Sequence, residues 1–221
     1  MIEAGRGGRP IAAGFVLAGG QSSRMGTDKA LLHLAGQPLI VHALNTLSAV
    51  GLNGSIAGAR SLLTAFAPVI PDAGVGPLGG ICAALESCED QLVAFLSVDL
   101  PLFPSSAMVY LLQHTRLTGA AATVFSLNGI VQTFPVVLDR VLLPTLHARL
   151  AAHRGGCLAA IIAGAESVRR PLQVLPVELL AQAGHCTHPQ ALPPFLWFLN
   201  LNTPSDLTQA QRLLVPPVRV S

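Results

Sequence analysis

The chain has 221 residues, enough for a domain that buries a sheet between helix layers. Hydrophobic residues make up 51% and charged ones 11%, with mean hydropathy +0.58, which excludes a disordered chain and suits a sheet of continuous apolar strands. Net charge is +2 without any Lys/Arg run, so nothing points to nucleic acid, whereas a small anionic substrate needs only local positive charge.

Residues 1–10 read as a flexible leader and 11–221 as a single domain. Arg6 and Arg9 before the apolar run 11–19 imitate a secretory signal. That run ends in a glycine-rich loop with chemistry of its own, so 11–18 is read as a first strand and 19–29 as the loop. Apolar Leu39, Val41, Leu44 and Leu47 predict a helix from Pro38 to about Val50. A strand at 54–58, a short helix at 61–66 and a strand at 68–70 follow, then a loop rich in turn-formers over 71–77. A helix at 78–87 leads to the most apolar strand, 92–98. The apolar run there is too short for a membrane span and carries Asp99.

Pro104 and Ser105 open a helix to 116. Strands at 120–126 and 131–138 flank Asn128-Gly129, a strong hairpin signal. Helices are expected at 140–150 and 158–163, with Asp139 and Arg140 as a solvated helix start. Then come a short strand at 173–175, an irregular segment at 184–194, a strand at 195–201 and a last helix at 205–213. Strands alternating with helices through the first half imply βαβ units: an α/β fold with a mainly parallel sheet and helices on both faces. Ligands of such folds bind beyond the carboxyl ends of the strands.

The four cysteines, Cys82, Cys88, Cys157 and Cys186, show no C-x-x-C spacing. Reduced thiols and a cytoplasmic location fit them better than a disulfide framework. His185-Cys186-Thr187-His188 lacks a fourth ligand at zinc spacing.

The densest chemical signal runs from Leu17 to Lys29, LAGGQSSRMGTDK, directly after the first strand. Gly19 and Gly20 allow close backbone approach, and successive N–H groups in such a turn can face an anion. Arg24 adds a planar fork of donors and Lys29 a point charge, the chemistry of phosphate binding. The Walker A and G-x-G-x-x-G spacings are both absent. Asp99, in LSVDLP, stands at the end of the most apolar strand. A cap on the helix near Pro104 is one role for it, but Asp99 comes early for that. A hard cation such as Mg²⁺, held by one or two carboxylates plus substrate phosphates, suits it better.

LAGGQSSRMGTDKALL resembles the signature of the Rossmann-like nucleotidyltransferases, and most of all that of the molybdenum cofactor guanylyltransferases. Relatives that transfer CMP or sugar-linked nucleotides commonly read L-A-A-G, so Gly19-Gly20 tilts the likeness to the guanylyl side. The resemblance spans about residues 13–213 and implies a Rossmann-like three-layer fold. It implies that the backbone of Leu17, Ala18, Gly19 and Gly20 holds base and ribose, that Arg24 and Lys29 stabilise triphosphate charge, and that Asp99 binds Mg²⁺. Asp72, which by composition is only a turn residue before Gly74-Val75-Gly76-Pro77-Leu78, matches an aspartate that contacts the nucleotide. Asn200 and Asn202, in NLNTPSDL, match asparagines on the pterin side, while Thr203 or Ser205 caps the last helix.

The implied reaction is GMP transfer from GTP to molybdopterin with release of pyrophosphate. The implied partners are these two substrates, with a molybdoenzyme or cofactor-delivery protein beside them. Cytidylyl transfer to molybdopterin, nucleotidyl transfer to another phosphorylated metabolite, and a non-catalytic nucleotide- or cofactor-binding delivery module are the alternatives. Two departures bear on this choice. Where the family often has an asparagine that helps hold the base, this chain reads Ile56-Ala57-Gly58-Ala59. Residues 176–194 are longer and richer in proline than usual, which alters the pterin side or adds a partner surface.

Overall fold

The computed structural model describes residues 12–19, 28–58, 61–72, 74–153 and 156–214. The leader, Gly20, Arg24 and Ala59 lie outside the described residues. In chain order the elements are β1 (Ala12–Leu17), a 3-10 turn (Lys29–Leu31), β2 (His33–Leu34), β3 (Gln37–Pro38), α1 (Leu39–Ser48), β4 (Gly54–Ala57), a second 3-10 turn (Ser61–Ala65) and β5 (Val69–Ile70). Next come α2 (Pro77–Ser87), β6 (Leu92–Ser97), α3 (Ser105–Thr118), β7 (Ala122–Leu127), β8 (Ile130–Asp139), a third 3-10 turn (Arg140–Leu142), α4 (Leu143–Ala151) and α5 (Cys157–Ser167). The chain ends with β9 (Leu172–Pro176), α6 (Val177–Gln182), α7 (Pro194–Trp197) and α8 (Pro204–Leu214).

Seven strands form one sheet in the order β5-β4-β1-β6-β8-β7-β9, and four of its six pairings are parallel. Only β8 runs against its neighbours. The central strands are apolar throughout because both faces are covered. In β6, Leu92, Ala94 and Leu96 enter one core with α1 and α3, while Val93 and Phe95 enter a second with α2, α4 and α5. Each fully buried Leu or Phe contributes roughly 1.5–3 kcal/mol. The result is the expected α/β, Rossmann-like, three-layer arrangement.

Local chemistry sets the element ends. Pro77 starts α2 behind Gly76 at φ +86°, and Gly119 closes α3 in the left-handed conformation. Asn128 and Gly129 both take positive φ, as a two-residue hairpin turn of the I′ kind requires. From β1 the chain first builds outward through β4 and β5, then crosses to β6 on the other side of β1. The crevice between β1 and β6 is therefore the topological switch point, where open α/β sheets bind ligands.

Two expectations are corrected. Residues 195–201 are not a strand. They form the short helix α7 and a following loop, with Trp197, Phe198 and Leu201 buried beneath the sheet. The Trp197 indole N–H donates to the Leu192 carbonyl, which fixes this turn. Asp139 is not solvated but 2% exposed, ion-paired with Arg170 at 2.6 Å. Residues 184–193 hold no helix or strand before α7 begins, as expected of 184–194, and the longer stretch 176–194 around them is partly ordered. It contains α6, and beyond it Ser106 Oγ donates to the Thr187 carbonyl and accepts from the Thr187 N–H, clipping the loop to α3. The β2–β3 hairpin is an addition, turned at Ala35-Gly36 with both residues at positive φ. No described helix is long and apolar enough to cross a membrane.

Candidate active site

Lys29 opens the 3-10 turn that follows the glycine-rich loop. Asp28 caps this turn by accepting from Ala30 N–H at 3.1 Å, and buried Ala30 anchors it to the core. From there the Lys29 ammonium reaches two groups distant in sequence. It donates to Asp99 Oδ2 at 3.1 Å and to Asn202 Oδ1 at 2.7 Å. Both charged side chains are largely shielded, at 17% exposed for Lys29 and 21% for Asp99. Three of the residues expected at the site, Lys29, Asp99 and Asn202, thus converge on one point.

Asp99 sits in the turn after β6, at the mouth of the switch-point crevice. Its carbonyl accepts from Leu201 N–H at 3.1 Å, tying the loop before α8 to this turn. Its Oδ1 is buried and has no hydrogen-bond partner among the described residues. An acceptor left in that condition costs about 1–3 kcal/mol, and more when it carries charge. A carboxylate oxygen held this way is suited to a cation.

Asn202 is itself braced. Its N–H and that of Thr203 both donate to Asp206 Oδ2, at 2.9 and 2.7 Å, while Asp206 N–H donates to Thr203 Oγ1 at 3.2 Å. This is a capping box with Asp in the third helical position. Sequence reasoning takes Thr203 as a cap and misses Asp206, although the Thr-x-x-Asp spacing signals it. Asn200 takes part through its backbone: its carbonyl accepts from Asn202 N–H at 3.0 Å, and its side chain is exposed.

A second cluster forms where β1, β4 and β5 end. Leu17 and Ala18 are buried; the Leu17 carbonyl accepts from Val98 N–H and the Ala18 N–H donates to the Ala57 carbonyl. No described residue takes the Ala18 carbonyl or the Gly19 N–H in a backbone hydrogen bond. Gly58 presses on this stretch: a Cβ there would lie 3.2 Å from Gly19 N and 3.3 Å from Ala18 C. Position 58 must therefore lack a side chain if Ala18 and Gly19 are to leave β1 on this course. Asp72 follows β5. Its Oδ1 accepts from Gly74 N–H at 3.0 Å, the turn expected of it, and its Oδ2 lies 3.4 Å from where a Cβ on Gly19 would stand. Asp72 thereby meets the start of the glycine-rich loop at Gly19, whereas Arg24 and Gly20 are outside the described residues.

No thiol is poised for chemistry here. Burial pushes Cys82 and Cys186 up to about 11 and Cys157 up to about 12, so all three are protonated at neutral pH. Cys186 belongs to the core, and among the described residues no three His, Cys, Asp or Glu side chains are grouped to hold a metal. A protein-built metal cage is thus absent from the described part.

The model of the family described as "MobA-like NTP transferase domain" matches residues 14–187. A molybdenum cofactor guanylyltransferase of Rhizobium johnstonii is 34% identical over 214 residues, covering 91% of this chain and 92% of that protein. One from Rhizobium leguminosarum bv. trifolii is 33% identical over 217 residues, covering 94% and 95%. The crystal structure of molybdopterin-guanine dinucleotide biosynthesis protein A from Archaeoglobus fulgidus superimposes with a TM-score of 0.72 over 91% of this chain and 98% of that one, at 21% identity, and so shares the fold. With its switch-point cluster and a family match over most of its length, the chain belongs to the MobA-like NTP transferase family.

Proposed function

We propose that this protein is a Mg²⁺-dependent molybdenum cofactor guanylyltransferase that transfers GMP from GTP to molybdopterin. A terminal phosphate oxygen of molybdopterin forms a bond to the α-phosphorus of GTP, and the bond from that phosphorus to the pyrophosphate oxygen breaks. The products are the guanine dinucleotide cofactor and pyrophosphate. The observation that carries this is the convergence of Lys29, Asp99 and Asn202 at the switch point. Full-length relatives bearing the guanylyltransferase name support it.

Asp99 suits Mg²⁺: Oδ1 is a buried acceptor without a hydrogen-bond partner among the described residues, and Mg²⁺ ordinarily takes one or two carboxylates plus substrate phosphates. When bound, the ion would neutralise phosphate charge. Lys29, with Arg24 from the loop before it, stabilises negative charge on the triphosphate. Backbone at Leu17, Ala18, Gly19 and Gly20 holds base and ribose, and Asp72 approaches the same nucleotide. Asn200 and Asn202 lie toward the pterin. The attacking phosphate is already ionised, so no general base is required, and catalysis is a matter of position and charge. Four free cysteines and a cytoplasmic supply of GTP fit a cytoplasmic enzyme.

The delivery-module alternative draws on the apolar composition and on the stretch 176–194, of which Thr187 is clipped to Ser106 of α3, and turnover distinguishes it from the enzyme. The deciding experiment measures pyrophosphate release with molybdopterin and GTP, CTP or ATP, with and without Mg²⁺. Release from GTP that needs Mg²⁺ is expected. Binding without turnover, or release from CTP as fast as from GTP, contradicts the proposal.

A further inference from the structure

Among the described residues Lys29 has two kinds of partner. Asp99 draws the ammonium by charge, and Asn202 gives it direction through a 2.7 Å bond to a neutral oxygen. The amide can aim the ammonium only if Asn202 is itself held. Asn202 is exposed, lies in a loop, and owes its place to α8. Asp206 Oδ2 accepts from both Asn202 and Thr203 N–H, drawing the loop onto the first turn of the helix.

The helix is fixed in turn. Buried Ala210 joins it to the core, and Gln211 Oε1 accepts from Ala35 N–H at 2.9 Å, in the β2–β3 turn just beyond the Lys29 turn. Helix α8 and the loop before it thus grip the Lys29 segment at two places, Asn202 at the side chain of Lys29 and Gln211 at the hairpin after it. The Thr203 hydroxyl foremost, then the N–H groups of Thr203 and Asn202 and the charge of Lys29, hold the Asp206 carboxyl below its usual range. Asp206 therefore remains an anion, able to accept both backbone bonds throughout the neutral range. The family model ends at residue 187, before this device begins.

We propose that Asp206 is a positioning residue for Lys29: its carboxylate sets Asn202, and Asn202 sets the Lys29 ammonium against the triphosphate. This rests on the reading of Lys29 as the triphosphate-binding lysine. The capping box supplies its own control. Thr203→Ala removes the acceptor for Asp206 N–H and the hydroxyl that favours the Asp206 anion most, and so weakens the helix start, yet a carboxylate still ionised at neutral pH remains to accept from Asn202 N–H. Asp206→Ala releases Asn202.

The test measures kcat and KM for GTP, together with Tm, for both variants, for Asn202→Ala, for the Asn202→Ala/Asp206→Ala double variant, and for Lys29→Ala. Misplacing a charge-stabilising group by about 1 Å is enough to lower kcat/KM about tenfold in Asp206→Ala. Thr203→Ala is expected to lose comparable Tm while keeping kcat/KM within about twofold of wild type. Because Asp206 acts through Asn202, the double variant should be within about twofold of Asn202→Ala alone. If Asp206→Ala does not fold, Asp206→Asn, which keeps one acceptor oxygen, is compared with Thr203→Ala in its place. Equal losses in the Thr203 and Asp206 variants, a near-wild-type Asp206 variant, or losses that multiply in the double variant overturn the proposal. Wild-type turnover in Lys29→Ala overturns instead the assignment of Lys29, and the role of Asp206 with it.

Discussion

Asp99 and Asp139 both stand at strand ends in the middle of the sheet, and they have opposite fates. Asp139 ends β8, which runs antiparallel to β6, and it pairs in register with Leu92 at the amino end of that strand. Asp99 lies past the carboxyl end of the same strand. The Asp139 side chain is 3% exposed and fully engaged: Arg170 at 2.6 Å and the Gln91 amide, with Val141 N–H at 2.9 Å. Arg170 is in turn bonded to the carbonyls of Gly119 and Ala120. Asp99 is more exposed, has one oxygen on a lysine, and leaves the other unmatched among the described residues. A buried carboxylate whose acceptors are all matched stabilises a fold; one left half-matched beside a crevice is available to a ligand. Burial alone would have ranked the two the wrong way round.

The strongest way to break this comparison is to neutralise each carboxylate. Asp99→Asn should abolish measurable turnover, a loss of several kcal/mol in transition-state stabilisation, while Tm stays near wild type. Wild-type activity at limiting Mg²⁺ would remove Asp99 from the site. Lys29→Ala comes next. Loss of one charge-stabilising donor should lower kcat/KM about 10²- to 10³-fold, with far-UV circular dichroism unchanged. An unfolded Lys29→Ala would make the lysine a structural residue.

Asp139→Ala should do the reverse. Removing one member of a buried pair costs about 3–5 kcal/mol, and partial exposure of Arg170 puts the expectation near the lower end, at about 3 kcal/mol by urea denaturation. Below its lowered Tm, kcat should remain within about twofold of wild type. A folded Asp139→Ala that has lost turnover would erase the distinction between the two ends of the sheet.

The sequence already carries one side of this contrast. Asp99 follows five consecutive fully apolar residues, and the Leu17–Lys29 loop follows β1, so both fall at the carboxyl ends of buried strands on periodicity alone. Asp139 ends β8 after the apolar run Val136-Val137-Leu138, but its partner Arg170 is contributed by the turn after α5, and no local pattern announces that pairing. The link between Lys29 and Asn202, residues 173 apart, is legible only through family resemblance. The run Phe195–Leu201 has strand-like composition, yet short apolar runs do not distinguish strand from buried turn, and here Trp197 and Leu201 point into the core instead of joining a ladder. The β2–β3 hairpin escapes notice because its turn is Ala35-Gly36, without an Asn or Asp that signals positive φ.

The smallest expected effect concerns a third carboxylate, Asp72, which resembles Asp99 in being half-matched. Its Oδ1 holds Gly74 N–H, while its Oδ2 faces the backbone of Gly19 and Gly80. A methyl on Gly19 would stand 3.4 Å from that Oδ2, an ordinary contact with the end of a side chain, so Gly19→Ala should fold normally. It would nonetheless place a methyl between the nucleotide loop and Asp72, where a purine edge is expected to meet the backbone. Gly58→Ala is the control, because its Cβ would press on Gly19 N at 3.2 Å and Ala18 C at 3.3 Å, backbone atoms that cannot rotate away. That substitution shifts the whole loop and should depress use of GTP and CTP alike. Gly19→Ala should instead lower kcat/KM for GTP about tenfold, roughly 1.4 kcal/mol, with a smaller change for CTP, so the GTP:CTP ratio falls. The ratio, measured with molybdopterin as acceptor, is the informative quantity, since a general loosening of the site cancels from it. If Gly19→Ala keeps the wild-type ratio, base choice is made elsewhere in the loop, and Asp72 belongs with Asp139 as a structural carboxylate.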